Sequence, residues 1–553
     1  PIPNRPRPAM GAYGSGQGQL LHMQMLVASL WVALTAGFLF CFSSYSVALQ
    51  HKFALSQGQI STIGTAQLAV NLVNFTCGLV VDLVGLRAVI IFGSALHAAS
   101  WLLLGAIATL DWKVPNVMVW LAMLSALGTL GAACTVVSVF SALAKNFGGE
   151  ERGAAIGIAK AWTGVAAGVI TTVFTSILHT ADSDPRRLGF LWVLGTGVVV
   201  LGLLPSPLVR VLSPSAAPLK ARLRGHSRHI RQLTLVTLGL ILATVAASLL
   251  EGTASQPLRA ALSALLVTLV FVPRWLLLPG RSELGLAPPA DDESSFAPEL
   301  PEGSCSSLSL GGGEASPWTS GPLGIVSRLE GWLLWFAIFA LQSGAVLLTT
   351  ELGSIAQTRD GPHVSSASAV SMFSCAQSLG RLFGGFISDA VVARQVARPW
   401  CLVALLLGMG FAQALLCTSG PAALYIGVIL TGYCFGSMYP ILICTVTELF
   451  GTARIASNYM LFDGSPMALG CIFVAKLLSQ AVFNSQAQQV SGGNRVCHGD
   501  ECFRLTFLCT AILQLMAAMG TVVLALRSAE VYRASVWPTR LEEGGREAEK
   551  HAA

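Results

Sequence analysis

Charged residues are scarce in this chain. Only 11% of its 553 residues are Asp, Glu, Lys or Arg, whereas 54% are hydrophobic and the mean hydropathy is +0.68. Average soluble domains carry about 25% charged residues, so the composition excludes an ordinary soluble enzyme. The apolar content excludes a disordered chain, the length excludes a small disulfide scaffold, and 56 glycines without a repeating period exclude collagen. A polytopic membrane protein remains.

Several functional motifs are missing as well. The sequence has no Gly-x4-Gly-Lys-Ser/Thr loop, which argues against transport driven by ATP binding to this chain. It shows no nucleophile motif and no convincing cluster of metal ligands, so we predict neither an enzyme nor a bound cofactor. No cleavable signal peptide is visible, because the first 23 residues are Gly-rich and polar and the first apolar run already has the length of a span.

Apolar windows long enough to cross a bilayer recur along the sequence. A hydrocarbon core about 30 Å thick needs about 20 mostly apolar residues, and runs of this length favour helices over the alternating strands of a β-barrel. The sequence therefore predicts an all-α polytopic membrane protein of fourteen spans, in groups of six, two and six. The spans cover residues 25–49, 60–81, 88–110, 116–143, 154–178, 189–209, 233–250, 260–279, 331–350, 366–388, 399–418, 421–446, 457–483 and 505–526.

The segments between the groups differ in charge. Residues 210–231 carry six Lys or Arg side chains and no acid, which predicts a cytoplasmic location for this segment and, with an even number of spans, for both termini. Residues 280–328 are rich in Ser, Pro, Gly and acids, which is typical of a disordered linker. The predicted parts are a disordered N-terminus 1–23, a first six-helix bundle 24–209, a basic linker 210–232, an extra helix pair 233–279, the linker 280–328, a second six-helix bundle 329–527 and a cytoplasmic tail 528–553.

Two cysteines stand apart from the rest. Ten of the 13 cysteines lie within predicted spans, where a thiol behaves as a small apolar group. Cys497 and Cys502 instead share the loop before the last span, which the topology places outside the cytoplasm. A short disulfide is plausible there. A metal site with His498 is the alternative, but one Cys-x4-Cys pattern is a weak metal signal, and we favour the disulfide.

A repeated loop pattern follows spans two and ten. The first copy reads Gly78-Leu-Val-Val-Asp82-Leu-Val-Gly85-Leu-Arg87, and the second has Gly385, Asp389 and Arg394 at matching offsets. The pattern resembles the signature loop of the major facilitator superfamily, Gly-x3-Asp-x2-Gly-x-Arg/Lys. Its recurrence in both halves fits an internally repeated six-plus-six transporter. The resemblance implies that Asp82 and Asp389 take part in gating, with Arg87 and Arg394 in the cytoplasmic turns.

Longer stretches narrow the resemblance to one family. They are Arg152-Gly-Ala-Ala-Ile-Gly-Ile-Ala-Lys160, Gly380-Arg381-Leu-Phe-Gly-Gly-Phe-Ile-Ser-Asp389, Glu448-Leu-Phe-Gly451 and Val496-Cys-His-Gly-Asp-Glu-Cys502. These stretches are similar to those of the nodulin-like major facilitator proteins, which also have an extra helix pair between their halves. The resemblance covers nearly all of residues 25–535 and implies the major facilitator fold.

Five ionisable side chains lie inside the predicted spans, and each is a candidate for function because burying a charge in a bilayer is costly. They are Lys160, Arg274, Arg381, Asp463 and Lys476. Lys160 either holds an anionic solute or neutralises a buried carboxylate. Asp463 either exchanges a proton that couples to transport or stabilises the helix weakened by its neighbours Gly464 and Pro466.

Arg381 is the strongest candidate for binding a solute. It follows Gln377 by one helical turn, and a guanidinium suits bidentate recognition of a carboxylate. The distantly similar monocarboxylate transporters keep an Arg at this place, which implies contact with a substrate carboxylate. The alternative is an ion pair near the cytoplasmic gate.

The second span carries a polar stripe. Gln67, Asn71 and Asn74 recur at helical spacing. The resemblance implies that this helix lies across the cavity from span thirteen, so the stripe is expected to face Asp463, or else to form hydrogen bonds between helices. Lys476 lies about 220° around its helix from Asp463 and is not expected to share that site. Arg274, beside Pro273 and Trp275, has the pattern of an interfacial anchor.

These features predict a secondary active transporter that moves a small anionic or zwitterionic solute by alternating access, with proton coupling as an option. The alternative is a membrane receptor or scaffold that has the same fold but does not transport. The expected partners are the solute and the lipid bilayer, with no nucleic acid, and the chain is expected to be a monomer. The sequence does not indicate which membrane holds the protein.

Overall fold

The fold is almost entirely helical. The computed structural model describes residues 15–55, 57–110, 112, 114–147, 151–177, 184–212, 219–250, 255–275, 318–358, 366–486, 488–489, 495–497 and 499–535. The predicted N-terminal segment up to residue 14, most of the predicted linker 280–328, His498 and the end of the C-terminal tail lie outside these residues.

The first group of helices corresponds to the first predicted bundle. It consists of α1 (Ser15–Ala36), α2 (Ser43–Lys52), α3 (Gln57–Ala69), α4 (Phe75–Val84), α5 (Leu86–Thr109), α6 (Val117–Asn146), α7 (Arg152–Ile177) and α8 (Phe190–Gly197). Short 3-10 turns cover Gly37–Cys41, Val70–Leu72, Pro185–Gly189 and Ser206–Leu208, and α8 continues as a π-helix over Val198–Leu203. The predicted second span is bent, because α3 and α4 meet at 48° across the 3-10 turn.

The extra pair and the second bundle follow. The pair consists of α9 (Leu219–Leu250) and α10 (Gln256–Trp275). The second bundle contains α11 (Pro322–Val326), α12 (Leu329–Thr358), α13 (Ser366–Ala393), α14 (Pro399–Leu416), α15 (Pro421–Phe450), α16 (Ile455–Gly470), a π-helix over Cys471–Leu478, α17 (Ser479–Gln486) and α18 (Glu501–Ser535). Two short antiparallel strands, β1 (Gln488–Gln489) and β2 (Arg495–Val496), precede α18.

The number of spans agrees closely with the sequence. Among the described residues, twelve helices are long and apolar enough to cross a membrane, and the bent pair α3–α4 makes thirteen if it counts as one span. The remaining predicted span, 366–388, coincides with α13, which is a helix of 28 residues but is not among the helices apolar enough to count as spans. Its serines, Arg381 and Asp389 lower its hydropathy, which indicates that α13 faces other helices more than lipid.

Three predicted boundaries differ from the structure. Helix α9 begins at Leu219, so the second half of the predicted linker 210–232 is helical. Residues 318–328, predicted as the end of the linker, include α11 and contact α16, where Asn458 Nδ2 donates to Ser320 O at 2.9 Å. Helix α18 continues to Ser535, past the predicted start of the tail at 528. Composition did not reveal these boundaries because the end of a helix depends on its capping and on contacts with neighbouring segments, which hydropathy does not show.

The two bundles contact each other along two seams. One seam joins α7 to α13, and the other joins α4 to α16. Glycines allow the backbones to approach: a Cβ on Gly385 would collide with Gly153 O, and a Cβ on Gly78 would collide with Ala456 O. The extra pair packs beside the first seam, since α9 contacts both α7 and α13 and Trp162 Nε1 donates to Thr237 Oγ1 at 2.9 Å. These seams place polar residues of both bundles next to each other.

Candidate functional site

A pair of cations occupies the centre of the first seam. Lys160 on α7 and Arg381 on α13 come from opposite bundles, and their side chains are 5% and 3% exposed. Arg381 Nη1 donates to the Lys160 carbonyl oxygen at 3.4 Å. Both cations lie near the ring of Tyr439, with Lys160 Nζ 4.5 Å and Arg381 Cζ 5.1 Å from its centroid. The ring offers some compensation for two like charges buried together.

A tyrosine joins Lys160 to Asp463. Lys160 Nζ donates to Tyr459 Oη at 2.8 Å, and Tyr459 Oη donates to Asp463 Oδ2, also at 2.8 Å. Tyr459 and Asp463 are four residues apart on α16, so they share one helix face. The chain of hydrogen bonds links a cation of the first bundle to a carboxylate of the second through one phenol. Sequence reasoning missed Tyr459, although its spacing from Asp463 was a usable signal.

The charges of this cluster do not cancel. Two cations, Lys160 and Arg381, share one half-buried carboxylate, Asp463. Arg381 Nε is buried and has no hydrogen-bond partner among the described residues. A buried donor without an acceptor costs about 1–3 kcal/mol, so the cluster favours an added acceptor with negative charge. The arrangement can therefore hold an anion between the two bundles.

Helix α16 is less interrupted at Asp463 than its glycine and proline suggest. The α-helical hydrogen bonding continues to Gly470, and the π-helix begins only at Cys471. The backbone carbonyl of Asp463 accepts a hydrogen bond from Gln342 Nε2 at 3.2 Å. The Asp463 carboxylate faces Tyr459 and is not bonded to its own helix terminus, which argues against a capping role.

The side chains of the predicted polar stripe form two hydrogen bonds. Gln67 Nε2 donates to Leu39 O at 3.0 Å, and Asn74 Nδ2 donates to Asn71 Oδ1 at 2.7 Å. Gly464 packs on the backbone at Asn71, so the stripe does lie against the helix of Asp463. No hydrogen bond between the stripe and Asp463 is present among the described residues. The Gln67 bond joins the stripe to the 3-10 turn Gly37–Cys41, whereas the Asn74 bond lies within the stripe itself.

The two repeated acids make equivalent contacts. Asp389 Oδ2 accepts from Ala154 N at 2.9 Å, and Asp82 Oδ2 accepts from Ser457 N at 3.0 Å and from Ser457 Oγ at 2.5 Å. Asp389 lies in the second bundle, and its donor is the third residue of α7 in the first bundle. Asp82 lies in the first bundle, and its donor is the third residue of α16 in the second bundle. A carboxylate at a helix N-terminus is stabilised by the unpaired N–H groups and the helix dipole. We call these two contacts the latches.

The latch at Asp389 is part of a larger buried network. Arg398, 1% exposed at its side chain, donates from Nη1 to Asp389 Oδ1 at 2.9 Å and from Nη2 to Glu448 Oε1 at 2.7 Å. Tyr532 Oη donates to Glu448 Oε2 at 2.7 Å. Arg394, the basic residue of the repeated motif, lies exposed in the turn after α13, where the resemblance implied a turn residue. Sequence reasoning missed Arg398 because it lies outside the motif.

Other predicted residues lie apart from the centre. Gln377 is buried one turn before Arg381, and Arg87 is exposed beyond the Asp82 latch. Arg274 is exposed in the last turn of α10. Lys476 Nζ donates to Thr65 Oγ1 at 2.9 Å, which is another contact between the bundles and is separate from the Asp463 cluster, as expected.

The loop before α18 contains a disulfide. Cys497 and Cys502 are bonded, with their Cα atoms 6.0 Å apart. No group of three or more His, Cys, Asp or Glu side chains is placed to hold a metal ion within the part of the chain that the structure describes.

Two family models match the chain and together cover most of it. Residues 22–278 match the model described as Nodulin-like, and residues 321–534 match the model described as NFD4, C-terminal domain. The protein NUCLEAR FUSION DEFECTIVE 4 of Arabidopsis thaliana is 22% identical over 537 residues, which cover 92% of this chain and 89% of that protein. A protein named Probable transporter MCH1, from Yarrowia lipolytica, is 28% identical over 182 residues, or 32% of this chain and 36% of that protein.

A solved transporter structure has a similar fold. The major facilitator superfamily proton:xylose symporter XylE superposes with a TM-score of 0.50 and 12% sequence identity, covering 92% of this chain and 95% of that chain. At this identity, the similarity concerns the fold alone.

Proposed function

We propose that this chain, which belongs to the nodulin-like family and has the major facilitator fold, is a secondary active transporter of a small anionic or zwitterionic solute. The observation that carries the proposal is the buried excess of positive charge formed by Lys160 and Arg381 where the bundles meet. The unpartnered Nε of Arg381 provides a donor for a carboxylate or a similar group of the solute. One relative is named Probable transporter MCH1, which supports a transporter without naming a solute.

Alternating access follows from the latches. Asp82 and Asp389 each hold the opposite bundle at a helix N-terminus, so both latches must break before the bundles can separate at that end. The latch end lies next to the basic segment, because Asn146 Nδ2 at the end of α6 donates to Arg210 O at 2.7 Å. We infer from the positive charge of residues 210–231 that this end lies on the cytoplasmic side. In that topology, the conformation described here is closed toward the cytoplasm.

The hydrogen-bonded chain from Lys160 through Tyr459 to Asp463 supports a role in proton coupling. While Asp463 is ionised, it attracts the ammonium of Lys160 through the phenol and competes with a bound anion. Protonation of Asp463 would weaken that attraction and leave the positive charge of Lys160 available to the solute. In this scheme, Arg381 binds the anionic group, Lys160 adjusts the charge of the site, and Asp463 couples the site to protons.

Uptake by purified protein tests the proposal directly. The protein is reconstituted in proteoliposomes and offered a panel of small anionic, zwitterionic, cationic and neutral solutes at two external pH values. We expect uptake of an anionic or zwitterionic solute that depends on pH. Binding without any flux would instead support a receptor or scaffold, and uptake restricted to cationic solutes would contradict the assigned role of the two basic residues.

The role of Arg381 is tested by Arg381→Lys, which keeps the charge and loses the planar fork of donors. We expect apparent affinity to fall about 5- to 150-fold, the equivalent of about 1–3 kcal/mol for charge-assisted hydrogen bonds. Arg504→Lys is the matched control, because Arg504 is an exposed residue of α18 that pairs with Glu501. Expression and size-exclusion profiles identify a folding defect. A well-expressed Arg381→Lys protein with unchanged apparent affinity would refute direct contact with the solute.

A further inference from the structure

A small cleft with a mainly apolar lining lies where the extra helix pair meets α7, apart from the central site. It has a volume of about 280 Å³ including its open mouth. Its lining consists of Thr172, Thr175 and Ser176 of α7, Ala247 of α9, and Arg259 and Leu262 of α10. Thr172 is twelve residues beyond Lys160 on the same helix, or about 18 Å along the axis at 1.5 Å per residue. The transport scheme proposed above does not use these residues.

The side chain of Arg259 is partly buried in this cleft. Its Nε is buried and makes no hydrogen bond to any described residue. Leu258 and Leu265 on the same helix are 43% and 46% exposed, so α10 presents apolar side chains to the surrounding lipid. A guanidinium in such a helix is costly unless an anion or water satisfies it. Among the described residues that line the cleft, none is a carboxylate.

The position of the cleft indicates where its ligand comes from. Ser176 is the second-last residue of α7, Ala247 lies one turn before the end of α9, and Arg259 is the fourth residue of α10. All three helices therefore have an end at this level, which places the cleft near a membrane surface, where lipid headgroups lie. It is the surface opposite the latches, because α7 begins at the Asp389 latch and ends here.

We propose that this cleft binds the phosphate group of an anionic lipid. A guanidinium recognises phosphate with two parallel donors, and the hydroxyl of Thr172 is placed in the lining to add a third. The hydroxyls of Thr175 and Ser176 already donate to Thr172 O and Val173 O, so they shape the cleft and do not donate to the ligand. Ala247 and Leu262 provide an apolar wall for the glycerol and the first acyl carbons. Ser263 Oγ of α10 already donates to Ser176 Oγ of α7 at 2.6 Å next to the cleft. The bound lipid would add a second connection between these two helices and so stabilise the packing of the extra pair on the first bundle.

The proposal is tested by lipid binding to the full-length protein, measured by native mass spectrometry in a mild detergent. The probes are phosphatidylglycerol, which is anionic, phosphatidylcholine, which is zwitterionic, and inorganic phosphate. We expect the first phosphatidylglycerol to bind Arg259→Gln at least about tenfold more weakly than wild type, the effect of losing one charge-assisted contact. Arg274→Gln, at the exposed far end of the same helix, is the matched control and should bind as wild type does.

Other results would overturn the assignment. Equal binding of phosphatidylglycerol to Arg259→Gln and Arg274→Gln would show that Arg259 does not hold the lipid. Equal binding of phosphatidylcholine, or full displacement of the lipid by inorganic phosphate, would show that the cleft does not select an anionic lipid. If Arg259→Gln does not fold, two other variants replace it. Thr172→Val removes one hydroxyl and keeps the charge, and Arg259→Lys keeps the charge and loses the planar fork of donors. Unchanged lipid binding by both variants would count against the site. None of these measurements depends on transport.

Discussion

The latch formed by Asp82 leads to a quantitative prediction for Asp82→Asn. The carboxylate accepts two hydrogen bonds from Ser457, from the backbone N at 3.0 Å and from Oγ at 2.5 Å. Asparagine has nearly the same shape and keeps one oxygen that can accept both bonds. The substitution therefore removes the negative charge at the N-terminus of α16 while leaving the contact geometrically possible.

The lost charge has two measurable components. A carboxylate near a helix N-terminus contributes typically 0.3–1 kcal/mol, and a hydrogen bond to a charged acceptor is stronger than one to a neutral acceptor by roughly 1 kcal/mol. Together these terms weaken the latch by about 1–2 kcal/mol, which changes the ratio of open to closed conformations by a factor of about 5 to 30. Ser457 is six residues before Asp463, about 9 Å along the axis of α16, so the solute contacts stay unchanged.

Uptake kinetics and hydrogen exchange measure the two consequences. We expect the turnover of Asp82→Asn to change while its apparent affinity stays close to wild type, and we expect faster amide exchange in the first turn of α16, at residues 455–458. Asp389→Asn is the comparison variant, and its effect should be larger because Arg398 also loses a charged partner. An unaltered turnover with lost solute binding would place Asp82 in the solute site, and unchanged exchange in α16 would refute the latch.

Three further predictions follow from the same contacts. Arg398→Gln leaves two buried carboxylates without their cation, so it should lower the free energy of unfolding by about 3–5 kcal/mol in thermal melts, and a loss below about 1 kcal/mol would contradict the network. Tyr459→Phe removes the hydroxyl between the ammonium and the carboxylate, so the pH dependence of uptake should shift, and the unpaired Lys160 Nζ should lower the free energy of unfolding by about 1–3 kcal/mol. An unchanged pH profile would exclude this relay from coupling. Protease added outside sealed, right-side-out vesicles should not cleave residues 280–328. A reductant that cannot cross the membrane should reduce the disulfide of Cys497 and Cys502 from the same side. Cleavage of 280–328 from outside would contradict the predicted cytoplasmic location of this segment.

Some properties of this protein can be predicted from the sequence because they depend on short-range patterns. Hydropathy windows predicted the membrane-spanning helices, since a span must be apolar over its own length whatever surrounds it. The repeated motif identified Asp82 and Asp389 before any contact was known, because each copy lies within a few consecutive residues. Lys160 and Arg381 were candidates for the same reason: a charge in an apolar window is visible without a structure.

The partners of these residues depended on the tertiary structure. Lys160 and Tyr459 are 299 residues apart, and Ala154 and Asp389 are 235 apart, yet each pair is in contact. The sequence specifies which face of each helix is polar, but the rotation of that helix and the depth at which it meets the other bundle are set by packing at small residues along the seams. A motif search consequently pointed to Arg394, whereas packing buried Arg398 between two carboxylates. Hydropathy is a property of one helix and can be read from its residues, whereas the choice of partner is a property of two helices and is decided only when the bundles close against each other.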